Sequence, residues 1–155
     1  MPDVVVGVDD SKPARAALEW AVRYAQRAQL SLTVVTVIDP LVESALWDAA
    51  QRGNARDTTT AAARADAWEM VSEAIEHAGP PEVDVDVRAV VGHPVKELVA
   101  AAQGAELLVV GSRGAGTFSR LLLGSTSSGV AHHAPCSVMI VRATDSAGPA
   151  KARRS

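Results

Sequence analysis

The sequence predicts an α/β fold, a doubly wound sheet of five parallel strands with helices on both faces. Val-rich runs alternate with Ala-rich runs along the chain, which is the pattern of strands that alternate with helices. The run ELLVV at 106–110 is apolar after its first residue, as expected for a central strand buried on both faces. Apolar residues make up 48% of the 155 residues and aromatic residues only 3%, so the core should be aliphatic. A single domain, at residues 1–142, is expected for this length.

The first strand and helix are predicted from a Val-rich run and a capping residue. The strand covers Val4–Val8, and Ser11 follows where a helix needs its N-cap. Pro13 falls in the first helical turn, where its missing N–H costs no hydrogen bond. Apolar residues then repeat at i, i+3 and i+4, which predicts one buried helix face. This face consists of Ala14, Ala17, Leu18, Ala21, Val22 and Ala25.

The middle of the chain predicts one strand, an irregular segment and a long helix. The second strand is expected at 31–38 and is closed by Asp39 and Pro40. The segment 40–57 is polar and is expected to be irregular. A helix is predicted at 59–78, followed by glycine and two prolines that end it. Its apolar side is expected to consist of Ala61, Ala65, Trp68, Val71, Ala74, Ile75 and Ala78.

The second half of the chain predicts three strands and two short helices. Valines alternate with charged residues in the strand at 83–91, which indicates one exposed face or a sheet edge. The last strand, at 137–141, is short and apolar and is expected at the other edge. The remaining elements are expected at 94–103 (helix), 106–110 (strand) and 125–133 (helix).

The order of the strands predicts where a ligand would bind. Right-handed crossovers allow one parallel sheet in the order 3-2-1-4-5, so the winding direction reverses between the first and fourth strands. Ligands of doubly wound sheets bind at the carboxyl ends of the strands at that reversal. The candidate segments are therefore Asp9-Asp10-Ser11 after the first strand and residues 111–128 after the fourth.

The segment after the fourth strand is rich in glycine and hydroxyl residues. Gly111, Gly114 and Gly124 have the spacing G-x2-G-x9-G. Gly111 and Gly114 allow positive φ and let main-chain N–H groups approach an anion with no Cβ atom in the way. Gly124 precedes a helix whose first N–H groups lack partners and favour negative charge. The hydroxyl groups that would donate to phosphate oxygens there are those of Ser125, Thr126 and Ser127. The alternative is a glycine-rich turn with a Ser/Thr helix cap.

Several other nucleotide and hydrolase motifs are excluded by spacing. A P-loop requires G-x4-G-K-[ST], and no lysine lies between Lys96 and Lys151. The dinucleotide motif G-x-G-x-x-G would have to follow the first strand, where the sequence is GVDDSK. The motif G-x-S-x-G is absent after the fourth strand. A P-loop NTPase, a nicotinamide dehydrogenase and an α/β-hydrolase are therefore not expected.

Four segments carry a resemblance to a known family. They are VVVGVDDS at 4–11, VVTVID at 34–39, Val91-Gly92-His93-Pro94, and the spacing Gly111-x2-Gly114-x9-Gly124 followed by Ser125. With these segments, residues 3–142 resemble a universal stress protein domain of the ATP-binding type. The glycine spacing is the most specific of the four, because members of the family without it commonly lack nucleotide binding. The resemblance implies an adenine-nucleotide α-hydrolase-like, Rossmann-like fold.

The resemblance also implies a ligand and the residues that would contact it. The ligand would be ATP, or ADP or AMP, with Mg²⁺ carried by the nucleotide, and cyclic AMP is an alternative. Gly7, Val8 and Asp9 would lie near adenine or ribose, and Val37 would contact adenine. The residues implied around the ribose and phosphates are Gly111, Ser112, Arg113, Gly114, Gly124, Ser125, Thr126 and Ser127.

Asp10 departs from the family pattern, which often has glycine at this position. With Asp9 it supplies two carboxylates that would hold the Mg²⁺ of a nucleotide. Alternatively, Asp10 caps the first helix together with Ser11, which is the interpretation we favour. Arg113 is a long cation whose guanidinium matches the geometry of phosphate.

The same residues predict nucleotide binding rather than rapid catalysis. The glycine segment offers a phosphate cradle, but it contains no lysine and no evident base to activate water. We therefore expect a stress-response regulator that depends on a nucleotide and hydrolyses it slowly at most. The alternative is an interaction protein that works without nucleotide through its dimer surface and segment 40–57.

Partners and location are predicted from charge, cysteine content and edge strands. The resemblance implies a homodimer formed through strand 137–141. A net charge of −3 with no long basic block predicts no nucleic-acid partner. The N-terminal apolar run is too short for a signal peptide or membrane span, and Cys136 is the only cysteine, so a reducing cytoplasm is expected. The basic tail at 143–155 is expected to be disordered.

Overall fold

The structure, a computed structural model, describes residues 3–49, 55–113 and 122–143. Strands and helices alternate along these residues, as predicted. The strands are β1 (Val4–Val8), β2 (Leu32–Ile38), β3 (Val85–Val91), β4 (Leu107–Gly111) and β5 (Ser137–Val141). The helices are α1 (Lys12–Ala28), α2 (Pro40–Ala49), α3 (Ala55–Ala78), α4 (Pro94–Ala101) and α5 (Ser125–His133).

The five strands form one parallel sheet in the order β3-β2-β1-β4-β5, which confirms the predicted topology. β1 lies at the centre, where Val6 is in register with Val34 of β2 and with Val109 of β4. The chain winds outward from β1 to β3 in one direction and from β4 to β5 in the other. The reversal therefore lies between β1 and β4, as the sequence predicts.

Alternate residues of the strands build two separate cores. Val4, Val6 and Val8 of β1 belong to a core that includes residues of α1 and α3. Val5 belongs to a second core together with Leu98 of α4 and residues of α5. This division follows from the period-2 geometry of a strand, which sends successive side chains to opposite faces. Helices therefore cover both faces of the sheet.

Helix α1 is the best predicted element. Ser11 is its N-cap and accepts a hydrogen bond from the main-chain N–H of Ala14 at 3.3 Å, and Pro13 lies in the first turn. Leu18 is 1% exposed, so its burial stabilises the fold by about 2 kcal/mol. Every residue of the predicted apolar face is buried: Ala14, Ala17, Leu18, Ala21, Val22 and Ala25.

The prediction that segment 40–57 is irregular is wrong, because α2 occupies its first part and α3 begins at Ala55. Asp39 and Pro40 end the preceding strand and also start this helix. An Asp39 Oδ1 atom accepts a hydrogen bond from the N–H of Leu41 at 2.8 Å, and proline suits the first helical position. Leu41 is 80% exposed and Val42 54% exposed, so the helix has no buried apolar stripe near its start that would reveal it.

The apolar side predicted for α3 is correct only in its second half. Val71 and Ala74 are buried as predicted, whereas Ala61 and Ala65 are exposed and Trp68 is 38% exposed. Ala67 is buried in their place. Alanines stand on several sides of the first half of the helix, so their spacing does not identify one face.

Smaller differences concern the ends of elements. β3 begins at Val85, two residues later than predicted, because the pairing with β2 begins there. α4 ends at Ala101, two residues earlier than predicted, and β4 runs one residue further, to Gly111. β3 and β5 are the two edge strands, as expected. Among the residues that the structure describes, no helix has both the length and the apolar character needed to span a bilayer.

Candidate functional site

A cavity of about 140 Å³ lies at the carboxyl ends of β1, β2 and β4, where the winding of the sheet reverses. We call it the strand-end cavity. The candidate residues that line it are Gly7, Val8, Asp9, Val37, Gly111, Arg113, Thr126 and Ser127. The sheet and α5 therefore bring together residues that lie more than a hundred positions apart in the chain.

Part of the cavity wall is apolar and was not predicted. Val35 precedes Val37 by two residues on the same face of β2, and Val110 is the last residue before Gly111. Pro94 and Leu98 lie one helical turn apart on α4 and cover the opposite side. The remaining unpredicted residue in the wall is Ala14. The period-2 spacing of β2 and the i, i+4 spacing of α4 are the signals that predict these neighbours.

Gly7 allows α4 to pack closely against the sheet at the cavity. A Cβ atom at this position would lie 2.8 Å from Cδ1 of Leu98 and 2.9 Å from its Cδ2. Leu98 is 3% exposed, so its side chain is held in the second core. The missing side chain of Gly7 therefore makes room for the leucine that closes this part of the cavity.

Gly111 does not adopt the positive φ that glycine allows. Positive φ among the described glycines occurs at Gly79 and Gly104. A Cβ atom on Gly111 would lie 2.7 Å from the carbonyl carbon of Pro13 and 2.8 Å from the nitrogen of Ala14. Glycine is required here because the first turn of α1 contacts the end of β4 through main-chain atoms.

Asp9 holds the turn between β1 and α1. Its Oδ1 atom accepts hydrogen bonds from the hydroxyl of Ser11 and, at 2.8 Å, from the N–H of Ser11. The Ser11 hydroxyl oxygen also lies 3.4 Å from the carbonyl oxygen of Arg113, which links the two sides of the cavity. Asp9 is exposed and lines the cavity, so one carboxylate both supports the cap and borders the site.

Asp10 is exposed and is not among the residues that line the cavity. Ser11 donates its hydrogen bonds to Asp9 and not to Asp10. The interpretation that we favoured, in which Asp10 caps the helix together with Ser11, is therefore wrong. No cluster of three or more His, Cys, Asp or Glu side chains suited to a metal occurs within residues 3–49, 55–113 and 122–143. Asp9 and Asp10 alone do not form a Mg²⁺ site, because Mg²⁺ that is held by only one or two carboxylates also needs the phosphates of the substrate as ligands.

The two ends of the glycine segment meet just beside the cavity. The N–H of Gly124 donates to the carbonyl of Ser112 at 2.8 Å. The hydroxyl of Ser127 donates to the carbonyls of Ser112 and Gly124, each at 3.0 Å. The N–H of Ser112 donates to the carbonyl of Val141 at the end of β5, at 2.8 Å. We call Ser112, Gly124 and Ser127 the loop neck.

The remaining candidate residues fall in three groups. Arg113 and Thr126 are half-buried and line the cavity from the two sides of the loop neck. Ser112, Gly124 and Ser125 adjoin the cavity without lining it, and Ser125 is exposed at the start of α5. Gly114 lies outside the described residues. The contacts of all these residues with a nucleotide stay predictions.

Comparison with known proteins identifies the family. The model of the universal stress protein family matches residues 1–142. The chain belongs to the universal stress protein family. It is 36% identical over 156 residues to a universal stress protein of Mycobacterium tuberculosis (strain ATCC 25618 / H37Rv), in a match that covers 94% of this chain and 49% of that protein. The chain spans about half the length of the curated relatives it matches.

Solved structures of other family members have the same fold. A crystal structure of a universal stress protein in complex with cAMP is 30% identical, with a TM-score of 0.62, and the match covers 92% of this chain and 98% of that one. The universal stress protein UspA from Lactobacillus plantarum is 29% identical, with a TM-score of 0.70 and coverage of 91% and 97%. The family resemblance and the fold predicted from the sequence are therefore both confirmed.

Two other features do not line the cavity. Trp20 stacks on Tyr24 of the same helix, with ring centroids 5.1 Å apart. Cys136 precedes β5, and its partial burial raises the pKa of its thiol. A thiol of this kind is a weak nucleophile, which fits a packing residue. Of the tail at 143–155 that is predicted to be disordered, residues 144–155 lie outside the described residues.

Proposed function

We propose that this universal stress protein binds an adenine nucleotide in the strand-end cavity and acts as a nucleotide-dependent regulator of a stress response. The observation that carries the proposal is the composition of the cavity wall. It combines an apolar part, formed by Val37 and its neighbours, with Asp9 on one side and Arg113 on the other. A flat apolar base and a charged phosphate group require these two kinds of surface in one site.

The size of the cavity supports a division of the ligand between a buried and an exposed part. Its volume of about 140 Å³ is below the range of about 300–1,000 Å³ typical of cavities that enclose a whole ligand. We propose that the base occupies the apolar part beside Val37 and Leu98. The phosphates would then extend toward Arg113 and the N-terminus of α5, where main-chain N–H groups favour an anion.

We propose ATP as the nucleotide, with ADP, AMP and cyclic AMP as the alternatives. The related structure in complex with cAMP, at 30% identity, supports an adenine nucleotide of some kind. Arg113 and the hydroxyl of Thr126 line the cavity and offer hydrogen-bond donors to phosphate oxygens. Mg²⁺ would enter with the phosphates of the nucleotide, near Asp9.

Calorimetry decides between these ligands. ATP, ADP, AMP, cyclic AMP and adenosine are titrated into the protein at one salt concentration, with and without Mg²⁺. We expect measurable heat for the adenine nucleotides and the tightest binding for ATP. No heat and no thermal shift at millimolar nucleotide would contradict the proposal. Mass spectrometry of the small molecules released when the purified protein is denatured identifies a ligand that remains bound through purification.

We further propose that the protein is a binding module and not an enzyme with rapid turnover. Hydrolysis needs a group that activates or orients water near the phosphates. One oxygen of the Asp9 carboxylate, Oδ1, is engaged by Ser11, and Arg113 is a cation that cannot accept a proton. Phosphate release from ATP is therefore expected to be slow. A steady release of one phosphate per second or faster would defeat this part of the proposal.

We propose that two copies pair through β5 in the cytoplasm. β5 is an edge strand whose apolar residues are only partly buried, and such edges pair readily with another strand. Light scattering at micromolar concentration is expected to give the mass of a dimer. The mass of a monomer there would rule out this assembly without affecting the nucleotide proposal.

A further inference from the structure

The hydroxyl of Ser127 occupies an unusual place between the cavity and the core. Ser127 lines the cavity, yet it is only 1% exposed. Its Oγ atom lies 3.0 Å from the carbonyl oxygen of Ser112 and 3.0 Å from that of Gly124. These two residues end the strand side and begin the helix side of the glycine segment, so a single hydroxyl joins both sides.

The chemistry of a hydroxyl limits what Ser127 does for a ligand. A serine hydroxyl has one hydrogen, and both of its close partners are carbonyls, which accept hydrogen bonds and cannot donate them. The hydrogen is therefore shared between the two main-chain oxygens. While the loop neck is closed in this way, Ser127 has no hydrogen to donate to a phosphate oxygen.

The surrounding hydrogen bonds show what the hydroxyl holds in place. The carbonyl of Ser112 also accepts from the N–H of Gly124 at 2.8 Å, and the carbonyl of Gly124 accepts from the N–H of Ser128 at 3.0 Å, the first bond of α5. The N–H of Ser112 is bound to Val141 of β5 at 2.8 Å. Ser127 thus fastens the first turn of α5 to a segment that is itself fixed to the sheet.

We propose that Ser127 is a positioning residue of the nucleotide site and not a donor to the nucleotide. Its hydroxyl sets the distance between Arg113, on the strand side of the loop neck, and Thr126, on the helix side. The affinity for phosphate groups depends on that distance, because both residues border the cavity. This inference rests on the proposed binding of a nucleotide, and it replaces the direct phosphate contact that the sequence predicts for Ser127.

Hydrogen exchange in the protein without nucleotide tests the positioning role directly. The variant is Ser127→Ala, and Ser128→Ala is the matched control one residue further along α5. We expect the amide of Gly124 to exchange about fivefold faster in Ser127→Ala, because the loop neck opens more often when a hydrogen bond worth about 1 kcal/mol is lost. Ser127→Thr, which keeps the hydroxyl, and Ser128→Ala should exchange at the rate of the wild type. Unchanged exchange in Ser127→Ala overturns the proposal.

Calorimetry with ATP and adenosine supplies the second measurement. We expect Ser127→Ala to weaken ATP binding by about tenfold and adenosine binding by less than about twofold, because only the phosphate side is displaced. Weaker ATP binding with unchanged exchange at Gly124 would show a direct donor. An equal loss for both ligands would show a general structural effect, and either result overturns the proposal. If Ser127→Ala does not fold, Ser127→Cys keeps the shape with a weaker donor and should give intermediate values.

The binding and exchange measurements test the nucleotide site and the role of Ser127 separately. If the wild type binds neither ATP nor adenosine, the nucleotide proposal is wrong. The exchange measurement needs no nucleotide, so it still decides whether Ser127 holds the loop neck closed.

Discussion

The amino end of the sheet pairs its polar groups with one another, whereas the carboxyl end places several of its polar groups around a cavity. At the amino end, the carboxylate of Asp3 accepts hydrogen bonds from the N–H of Ser31 at 2.9 Å and from its hydroxyl at 3.1 Å. The side chain of Gln26, 8% exposed, donates to the carbonyls of Gly79 and Pro81, each at 2.7 Å. These hydrogen bonds join separate segments of the protein at this end of the sheet.

The carboxyl end combines close main-chain packing with a polar border. Gly7 and Gly111 let α4 and α1 approach the ends of β1 and β4. Asp9, Arg113 and Thr126 then stand around the space that remains. From this comparison we expect the amino end to contribute mainly to stability and the carboxyl end to carry the proposed binding site, the division typical of a parallel α/β sheet. Substitutions at the amino end should therefore change the free energy of unfolding, and substitutions at the carboxyl end should change the affinity for nucleotide.

The largest effect is expected from Gly111→Ala, which should lower both the stability of the fold and the affinity for nucleotide. The new Cβ atom would lie 2.7 Å from the main chain of Pro13, which cannot move without displacing α1. We expect the free energy of unfolding in urea to fall by about 3 kcal/mol and nucleotide binding to be lost. Gly7→Ala is the matched comparison, because its Cβ would meet only the ends of the Leu98 side chain. An equal or larger loss for Gly7→Ala would refute the explanation by main-chain contact.

Arg113→Gln should separate binding from stability. The substitution removes a cation that borders the cavity, and a charge-assisted hydrogen bond contributes about 1.5–3 kcal/mol. We expect ATP affinity to fall at least about tenfold, adenosine affinity to change little, and the unfolding free energy to change by less than about 0.5 kcal/mol. Calorimetry and urea unfolding provide these values. Arg88→Gln, on the distant edge strand β3, is the control and should leave ATP binding unchanged. Equal weakening of ATP and adenosine would remove Arg113 from the phosphate side.

Asp3→Asn tests the role of the amino end in stability. The hydrogen bonds from the main chain and side chain of Ser31 lower the pKa of Asp3 below 3.8. The pKa is lower in the folded state than in the unfolded state, so this stabilisation is present above about pH 4 and is lost as the pH falls through the folded pKa. We expect the wild type to lose more unfolding free energy than Asp3→Asn between pH 6 and pH 3. Nucleotide affinity at pH 7 should be the same in both proteins, and a weaker affinity in the variant would contradict the division between the two ends.

The sequence predicts the elements of the fold well where spacing decides them. The face of α1 is correct because Leu18 and Val22 stand among alanines at helical spacing, and the observed sheet order is one that right-handed crossovers allow. α2 is missed because Leu41 and Val42 are exposed, so its burial pattern carries no helical signal. The hydrogen bond by which Asp39 caps the start of α2 is a local signal that the apolar spacing does not include.

The cavity lies where the sequence predicts a ligand to bind, but several contacts that shape it are not predicted. Most candidate residues line one cavity, because the motif positions and the strand ends identify the same place. The contact of Gly111 with Pro13 is not predicted, because it joins residues far apart in the chain and no local pattern contains it. The engagement of the Ser127 hydroxyl by two carbonyls is equally invisible, because it depends on how the two sides of the loop neck meet.

The smallest effect is expected from Tyr24→Phe, which removes one exposed hydrogen bond at the amino end. The hydroxyl of Tyr24 donates to Oε1 of Glu106 at 3.2 Å, and this bond and the carboxylate charge raise the pKa of Tyr24 above 10.0. Stabilisation from a raised pKa is present below the unfolded pKa and is lost as the pH rises through the folded pKa. Phenylalanine keeps the ring that stacks on Trp20, so the two proteins should differ only slightly at pH 7. Urea unfolding should therefore show a small advantage of the wild type that disappears as the pH rises through the pKa of Tyr24 in the folded protein. An advantage that persists unchanged at high pH would indicate that the ring packing, and not the hydroxyl, makes the difference.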